Sequence, residues 1–302
     1  MSLDWDDLRI FLAVSRNESL LGAGKALKID PATVGRRITR LEEAVGTGLF
    51  QRSRRGYTLT EEGQRLITHA ERVEQSFQQG LEELKGEAGK LTGSIRVGAP
   101  DGCASFVLPQ VCARICAENP GLDVQIIALP RVVDLSKREA DLAVTVSAPT
   151  AGRLLVQKIT DYRLHLVAAH EYLAKHTPIT TLDSVLSHKF IGYIPDMIFD
   201  KELDYLREAG AERVAFASNS VTVQLNWIRQ GAGVAVAHDF VLPFAPELRK
   251  ICETEFSLTR SFYLVRHAND RRLERVNRFA ALLRDGIRVE VARLEGRLAE
   301  SG

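Results

Sequence analysis

The chain has 302 residues, of which 45% are hydrophobic and 26% charged, and its formal net charge at pH 7 is +1. This length predicts two or three domains, and this composition is typical of a soluble globular protein, which excludes a disordered or fibrous chain. No segment has the ~18 consecutive apolar residues that a membrane-spanning helix requires. The acidic start of the chain has neither the basic nor the apolar region of a signal peptide, so we expect a cytoplasmic protein.

The positive charge of the chain is concentrated in one stretch near the N-terminus. Residues 25–55 contain eight basic and three acidic residues. A local excess of this kind indicates a nucleic-acid-binding surface better than the total charge does. The low net charge of the whole chain therefore does not argue against binding to DNA.

Two short helices are predicted at the N-terminus. Leu8 and Phe11 belong to an apolar pattern with helical spacing, which predicts an amphipathic helix over residues 5–15. Ser19 can accept a hydrogen bond from a free backbone N–H group, and so cap a second helix over Leu20–Leu27.

A third helix is predicted over residues 31–44, because Asp30 is a favourable N-cap and Pro31 suits the first helical position. Only three residues separate it from the second helix, as in a helix-turn-helix whose second helix enters the major groove of DNA. Its exposed side carries the candidate DNA-binding residues Thr33, Arg36, Arg37 and Arg40. We expect Thr33 and Arg36 to contact bases, whereas the other two arginines could equally bind phosphates. The alternative is an ordinary solvated basic face.

A β-hairpin wing is predicted over residues 48–60, where two short β-prone runs flank a basic tip that ends in glycine. The candidate DNA contacts on this wing are Arg52, Arg54 and Arg55. Arginines on such a wing can reach backbone phosphates or a minor groove.

A long helix is predicted after Thr60, which can cap it. Apolar residues then repeat every three or four positions, close to the repeat of a coiled-coil seam. The dimerisation residues predicted from this seam are Leu66, Val73, Phe77, Leu81 and Leu84. A seam on so long a helix must be buried, and we expect a second copy of the chain to cover it, with the C-terminal domain as the alternative. Gly86, Gly89 and Gly93 end the helix and form a flexible joint.

Five motifs occur in order in this region: D-L-R-I-F-L-A-V, S-L-L-G-A-G-K-A-L, P-A-T-V-G-R-R-I-T-R-L-E-E-A-V-G, L-F-Q-R and G-Y-T-L-T-E-E-G. Together they resemble the DNA-binding region of LysR-type transcriptional regulators. The resemblance implies a dimer through the linker helix, whose two recognition helices read an inverted repeat. Gly24 departs from the usual alanine, which weakens a helix by up to ~1 kcal/mol. Gly35 replaces a common small hydroxyl residue and so removes one potential DNA contact.

From Gly93 onward, β-rich runs alternate with helical stretches, which predicts an α/β domain with mainly parallel strands. Strands are predicted over residues 94–99, 122–129, 141–146, 164–169, 190–193 and 234–237. Helices are predicted over residues 107–118, 220–231 and 269–285. The charged tail after them is either a further helix or partly disordered.

Five further motifs lie within residues 93–285: G-S-I-R-V-G, E-N-P-G-L-D-V, A-D-L-A-V, Y-R-L-H-L-V-A-A-H-E-Y-L-A and G-A-G-V-A-V. They resemble the LysR-type effector domain, which implies two α/β lobes that close on a ligand, like those of periplasmic solute-binding proteins. The crossovers between the lobes would fall near residues 149–157 and 260–267. The chain is therefore predicted to be α+β overall. Its predicted domains are a winged helix-turn-helix over residues 1–60, a linker helix and hinge over 61–92, and an effector-binding domain over 93–302.

The effector pocket is expected beyond the carboxyl ends of the strands, near helix N-termini whose free N–H groups suit anions. The candidate effector-binding residues are Pro100, Asp101, Gly102, Cys103, Thr145, Ser147, Pro195, Asn219, Ser220 and Val221. Each of them is alternatively a simple turn or cap residue. Asp101 is acidic where many relatives have a small polar residue, which implies an effector with an amine or an altered site. His238 stands where the family often has proline, and we expect a structural role for it.

The expected function is transcription regulation in response to a small molecule, with neither a cofactor nor a metal. The expected partners are double-stranded DNA with an inverted-repeat operator, an unknown small-molecule effector, and further copies of the chain in a homodimer or homotetramer. RNA polymerase is a candidate partner, and a membrane is not expected to be one.

Three other classes of function remain as alternatives. A thiol-based redox regulator would use the cysteines, which we otherwise expect to be free thiols: Cys103, Cys112, Cys116 and Cys252. Of these, Cys112 and Cys116 are expected to be small buried side chains. A solute-binding receptor would leave the N-terminal helices unexplained and would need an export signal. An enzyme is not expected, because the sequence has no catalytic Ser-His-Asp signature, cofactor loop or metal-ligand spacing.

Overall fold

The computed structural model describes residues 4–53, 56–85, 90–128, 140–150, 154–268 and 274–296. The chain forms two compact units, Met1–Glu87 and Ala88–Gly302. Within the described ranges, no helix combines the length and the apolar character that crossing a membrane requires.

The first unit contains three short helices, a two-stranded hairpin and a long helix. Its elements are α1 (Trp5–Asn17), α2 (Leu20–Leu27), α3 (Pro31–Val45), β1 (Phe50–Ser53), β2 (Gly56–Leu59) and α4 (Glu61–Lys85). The two strands pair antiparallel, from Phe50 opposite Leu59 to Ser53 opposite Gly56. The predicted winged helix-turn-helix and linker helix are confirmed, and α2 has the predicted bounds.

Side-chain caps start the two helices of the helix-turn-helix as the sequence predicts. Ser19 Oγ accepts a hydrogen bond from Gly22 N–H at 3.3 Å, and Asp30 Oδ1 accepts one from Ala32 N–H at 2.8 Å. Pro31 follows in the first turn of α3, where an N–H donor is not needed. These caps fix where both helices begin.

The turn between α2 and α3 passes close to Gly24. A Cβ atom at this position would lie 2.8 Å from the carbonyl oxygen of Ile29 and 3.3 Å from Pro31 Cγ. Ile29 N–H also donates to the Gly24 carbonyl at 3.0 Å. The glycine that weakens α2 by propensity therefore permits a contact that alanine would obstruct.

Hydrogen bonds to the backbone of the wing hold it against the helices. Glu42 Oε1, near the end of α3, accepts hydrogen bonds from Leu49 N–H at 2.7 Å and from Phe50 N–H at 3.1 Å. On the other strand, Tyr57 N–H donates to the carbonyl of Glu18 at 2.9 Å. The orientation of the wing is therefore tied to both α3 and the turn before α2.

The second unit is an α/β domain whose described strands form one nine-stranded sheet. The strands are β3 (Gly93–Ala99), β4 (Leu122–Ala128), β5 (Leu142–Thr145), β6 (Leu154–Ala169), β7 (Phe190–Gly192), β8 (Val214–Ala217), β9 (Val234–His238), β10 (Leu248–Ile251) and β11 (Leu258–His267). The helices are α5 (Asp101–Phe106), α6 (Leu108–Glu118), α7 (His170–Lys175), α8 (Leu182–Val185), α9 (Tyr205–Glu208), α10 (Val221–Arg229) and α11 (Glu274–Leu294). The strand order is β4-β3-β5-β11-β6-β9-β7-β8, and β10 pairs with β6.

Two groups of parallel strands define two lobes of this unit. In the first lobe β3 pairs in parallel with β4 and β5, and α5 follows β3 directly. In the second lobe β7 pairs in parallel with β8 and β9, and α10 lies between β8 and β9 in the chain. The long strands β6 and β11 pair antiparallel with each other and join the lobes. The predicted two-lobed architecture is confirmed.

The structure differs from the predicted elements of this unit in several places. The sheet is mixed rather than mainly parallel, because β6, β10 and β11 are antiparallel to their neighbours. Strand β6 begins at Leu154, ten residues before the predicted start, since its first half is only partly buried and lacks a clear apolar pattern. The six-residue α5 was not predicted. Of the two alternatives for the charged tail, the helical one holds as far as Leu294, where it continues α11 with Ile287 and Val291 buried. Residues 129 and 269–273 of the predicted elements lie outside the described residues.

Replacement of Gly24 by alanine tests the close approach of the turn to α2. Helix propensity alone would stabilise the first unit by about 1 kcal/mol. We expect the contact with the Ile29 carbonyl to reverse that sign and to lower the free energy of unfolding by about 1–3 kcal/mol. Urea unfolding of the full chain, followed by Trp5 fluorescence in a Trp227→Phe background, measures the change.

Gly80→Ala is the matched control for this experiment. A Cβ atom at Gly80 in α4 would meet no atom within 4 Å, so the same substitution should stabilise the unit there. Stabilisation by both substitutions would show that the turn does not constrain position 24.

Candidate functional site

Thr33 and Arg36 lie together on one side of α3. The exposed Arg36 donates from Nη2 to Thr33 Oγ1 at 3.1 Å. Asp30 Oδ1 accepts from Thr33 N–H at 3.4 Å, which places Thr33 in the first turn of the helix. A hydroxyl and a guanidinium near the start of a recognition helix are groups that suit base edges in the major groove.

Arg37 and Arg40 turn toward α1 instead. Arg37 Nη1 lies 3.0 Å from Asp7 Oδ1, and Arg40 Nε and Nη2 lie 2.8 and 2.5 Å from Asp7 Oδ2. The side chain of Asp7 is only 3% exposed, and both arginines also lie within 3.5 Å of Asp4. Because a carboxylate removed from water needs such partners, these two arginines stabilise the packing of α3 on α1.

Gly35 borders α2. A Cβ atom at this position would lie 3.3 Å from Leu20 Cδ1. Position 35, where the family resemblance suggests a hydroxyl residue, is therefore close to the contact between α2 and α3. Glycine leaves room for that contact.

The other predicted DNA contacts belong to the wing. The backbone of Arg52 pairs with Tyr57 in the hairpin. The side chain of Arg52 lies outside the described part of the structure, as do Arg54 and Arg55. These three assignments stay predictions.

The predicted seam of α4 begins in the core of the first unit and continues at the surface. Leu66 packs against that core, whereas Val73 is 44% exposed and Phe77 55% exposed. The rings of Phe77 and Trp5 lie 6.2 Å apart. Leu81 and Leu84 belong to α4, but their side chains are not among those described.

In the second unit, the predicted residues after β3 lie where the two lobes approach. Pro100 is the N-cap residue of α5, and Gly102 and Cys103 are buried in that helix. A Cβ atom at Gly102 would lie 3.4 Å from His238 Cε1 and 3.5 Å from Val221 Cγ2. These are ordinary van der Waals distances, so α5 packs against the second lobe at this position.

Asp101 reaches across from the first lobe to the N-terminus of α10. Its Oδ2 atom accepts hydrogen bonds from Val221 N–H at 2.6 Å, Ser220 Oγ at 3.1 Å and Thr222 N–H at 3.4 Å. Asn219 lies immediately before the cap residue of this helix. The structure therefore brings predicted residues of both lobes into direct contact.

A second contact between the lobes joins Ser147 and Asp200. Ser147 Oγ donates to Asp200 Oδ2, and Thr145 Oγ1 donates to the Ser147 carbonyl at 2.7 Å. Pro195 begins a short 3₁₀ turn and, with Asp200 and Tyr205, lines a cavity of about 500 Å³ within the second lobe. Asp200 was not predicted, because nothing in its local sequence indicates a partner 53 residues away.

A buried histidine lies behind these contacts. His238 Nε2 is 3.3 Å from Tyr205 Oη, and the histidine ring lies 5.6 Å from the ring of Tyr162. Burial lowers the pKa of His238 to about 4, although Asp239 opposes the shift. The imidazole is therefore neutral at pH 7. Among the described residues, no group of three or more His, Cys, Asp or Glu side chains is placed to hold a metal ion.

Two family models match the chain. The model described as "Bacterial regulatory helix-turn-helix protein, lysR family" matches residues 5–64, and the model described as "LysR substrate binding domain" matches residues 88–288. Over 253 residues, 80% of each chain, the sequence is 28% identical to the HTH-type transcriptional regulator DgdR of Burkholderia cepacia.

Two solved structures show a similar fold. One is CrgA, a LysR-type transcriptional regulator from Neisseria meningitidis, with a TM-score of 0.54, 22% identity and coverage of 97% of this chain and 99% of CrgA. The other is the C206 mutant of OxyR from Corynebacterium glutamicum, with a TM-score of 0.59, 19% identity and coverage of 98% and 96%.

The buried His238 predicts acid sensitivity of the second unit. Its pKa is about 4 in the folded chain, against 6.5 when unfolded, so as pH falls from 6.5 to 4 only the unfolded state takes up the proton. This difference should cost about 3 kcal/mol of unfolding free energy by pH 4, a cost that is absent above pH 7.

The measurement is the pH dependence of urea unfolding for the wild type and His238→Asn, with exposed His170→Asn as the control. His238→Asn should flatten the loss of stability between pH 6.5 and 4, while the control should not. Equal slopes in all three proteins would contradict a depressed pKa at His238.

Proposed function

Because the chain belongs to the LysR family of bacterial transcriptional regulators, we propose that it reads an operator through Thr33 and Arg36 and responds to a small molecule bound in its two-lobed domain. The observation that carries this proposal is the hydrogen bond between the half-buried Thr33 and the exposed Arg36 in the first turns of a capped recognition helix. The proposed action is binding without a catalytic step, and the proposed location is the cytoplasm.

The phosphate contacts are proposed to come chiefly from the wing. Arg37 and Arg40 already form ion pairs with Asp7 and Asp4, so each is less available to pair with a phosphate. Binding of either to DNA would compete with a buried carboxylate that needs a donor. The wing arginines proposed to take this role are Arg52, Arg54 and Arg55.

The exposed part of the α4 seam is proposed to bind a second copy of the chain. Val73 and Phe77 place apolar surface in water, and burial against an identical helix would remove it. A dimer formed in this way presents two recognition helices to the half-sites of an inverted repeat. Assembly to a tetramer and contact with RNA polymerase are further steps of the same proposal.

Arg36→Ala tests the proposed base contact. A lost contact to a base edge costs about 1–3 kcal/mol, so specific binding should weaken roughly tenfold or more without a change in fold. Gel-shift titration with DNA from the chain's own promoter region measures this loss.

Arg207→Ala, an exposed arginine of the second unit, removes the same charge and should leave operator binding unchanged. Wild-type affinity in Arg36→Ala would show that the recognition surface lies elsewhere. A wild-type protein without affinity for this DNA even at low salt would contradict the DNA-binding function itself.

A redox-sensing regulator is the second candidate function, since the fold is shared with OxyR structures and the cysteines are free thiols. Burial raises the pKa of Cys112 to about 12. It also raises the pKa values of Cys103, Cys116 and Cys252. These raised pKa values keep all four thiols protonated at neutral pH. Because the thiolate is the reactive form, protonation disfavours the redox-sensing function.

Treatment with hydrogen peroxide separates the two candidates. At pH 7 we expect the operator affinity to change by less than about twofold, because protonated thiols react slowly. Gel shifts before and after treatment, with a count of free thiols, measure both quantities. A loss of binding that a Cys103→Ser or Cys112→Ser substitution prevents would instead support the redox function.

A further inference from the structure

The contact between Asp101 and α10 uses the hydrogen-bonding capacity of that helix end. Helix α10 has nine residues, and its first two N–H groups, those of Val221 and Thr222, donate to Asp101 Oδ2. The third, that of Val223, donates to Ser220 Oγ, and the fourth, that of Gln224, donates to the Ser220 carbonyl. The chain itself therefore satisfies every donor of the first turn of α10.

A negative charge at the N-terminus of a helix is also favoured by the helix dipole. In this chain that charge is a side chain of the opposite lobe. The contact therefore does what an anionic ligand group would do at the same place, namely hold α10 against the first lobe.

The contact between Ser147 and Asp200 lies on other segments of the same two lobes. Ser147 follows β5 in the first lobe, and Asp200 precedes a 3₁₀ turn in the second. Asp200 Oδ1 also accepts from Glu202 N–H at 3.0 Å, which ties the contact to the backbone of that turn. The lobes are thus joined through two separate pairs of segments.

We propose that Asp101 is a built-in anion that latches the two lobes together, with Ser147 and Asp200 as the second half of the latch. The proposal rests on the effector-binding function proposed above, but its test requires no effector. The latch determines which effectors the cleft accepts. A carboxylate can reach the first turn of α10 only by displacing Asp101, so the cleft selects neutral or cationic groups that donate hydrogen bonds.

Hydrogen exchange of the full chain, with and without Asp101→Asn, tests the latch. Loss of the charged acceptor should speed exchange of the amides at residues 221–223 by about fivefold or more. Because a latch holds both contacts, exchange should also rise across residues 145–147 and 200–203. Asp123→Asn, an exposed aspartate of the first lobe, is the control and should change neither region.

The converse variant is Ser147→Ala, which removes a small side chain and leaves Asp101 in place. It should speed exchange at residues 221–223, although this substitution touches nothing in α10. The latch is overturned if Asp101→Asn changes hydrogen exchange only at residues 221–223 and Ser147→Ala does not change exchange in α10. Asp101 would then be only a local helix cap.

Gel shifts with the same proteins separate the two proposals. If the wild type binds the operator, but loss of one lobe contact does not change hydrogen exchange at the other, only the latch is overturned. Coupled exchange in a protein that does not bind DNA would uphold the latch and contradict the proposed function.

Discussion

A carboxylate that the fold removes from water, wholly or in part, must be met by hydrogen-bond donors, and the buried Asp7 and the half-buried Asp101 organise this chain under that constraint. Asp7, on α1, is met by two arginines of α3. Asp101, at the start of α5, is met by Ser220 and by backbone N–H groups of α10. In each unit an acidic residue near the start of one helix determines how a second helix is held.

In the second unit the carboxylate that needs donors lies on one lobe, and its donors lie on the other lobe. The lobes are connected by β6 and β11, which pair antiparallel over the whole length of β11. Two paired strands can bend without losing their hydrogen bonds, so we expect the closing contacts between the lobes to decide how far the cleft opens. Asp101 and Ser147 make two of these contacts, and an effector that enters the cleft must compete with them or add to them.

Local patterns predicted the fold more completely than the site. Asp30, followed by proline, marked the start of α3, and apolar periodicity located α4, because caps and amphipathic spacing are properties of neighbouring residues. Positions at the lobe junction were also predictable as strand ends, which is why Asp101 and Ser220 were candidates. The hydrogen bond between them was not predictable, since they are 119 residues apart in the chain. The ion pair between Asp7 and Arg37, a predicted DNA-binding residue, was not predictable for the same reason, because the two residues are far apart in the chain.

In the proposed complex with DNA, Asp7 divides the arginines of α3 into two that support the fold and one that meets DNA. The most direct test of this division is the salt dependence of operator binding by Arg40→Gln. We predict a wild-type slope of the binding constant against salt concentration and a less stable first unit, because Arg40 pairs with Asp7 in the free chain and is expected to keep that partner on DNA. A slope reduced by about one unit, with unchanged stability, would show that Arg40 neutralises a phosphate and would contradict the claim.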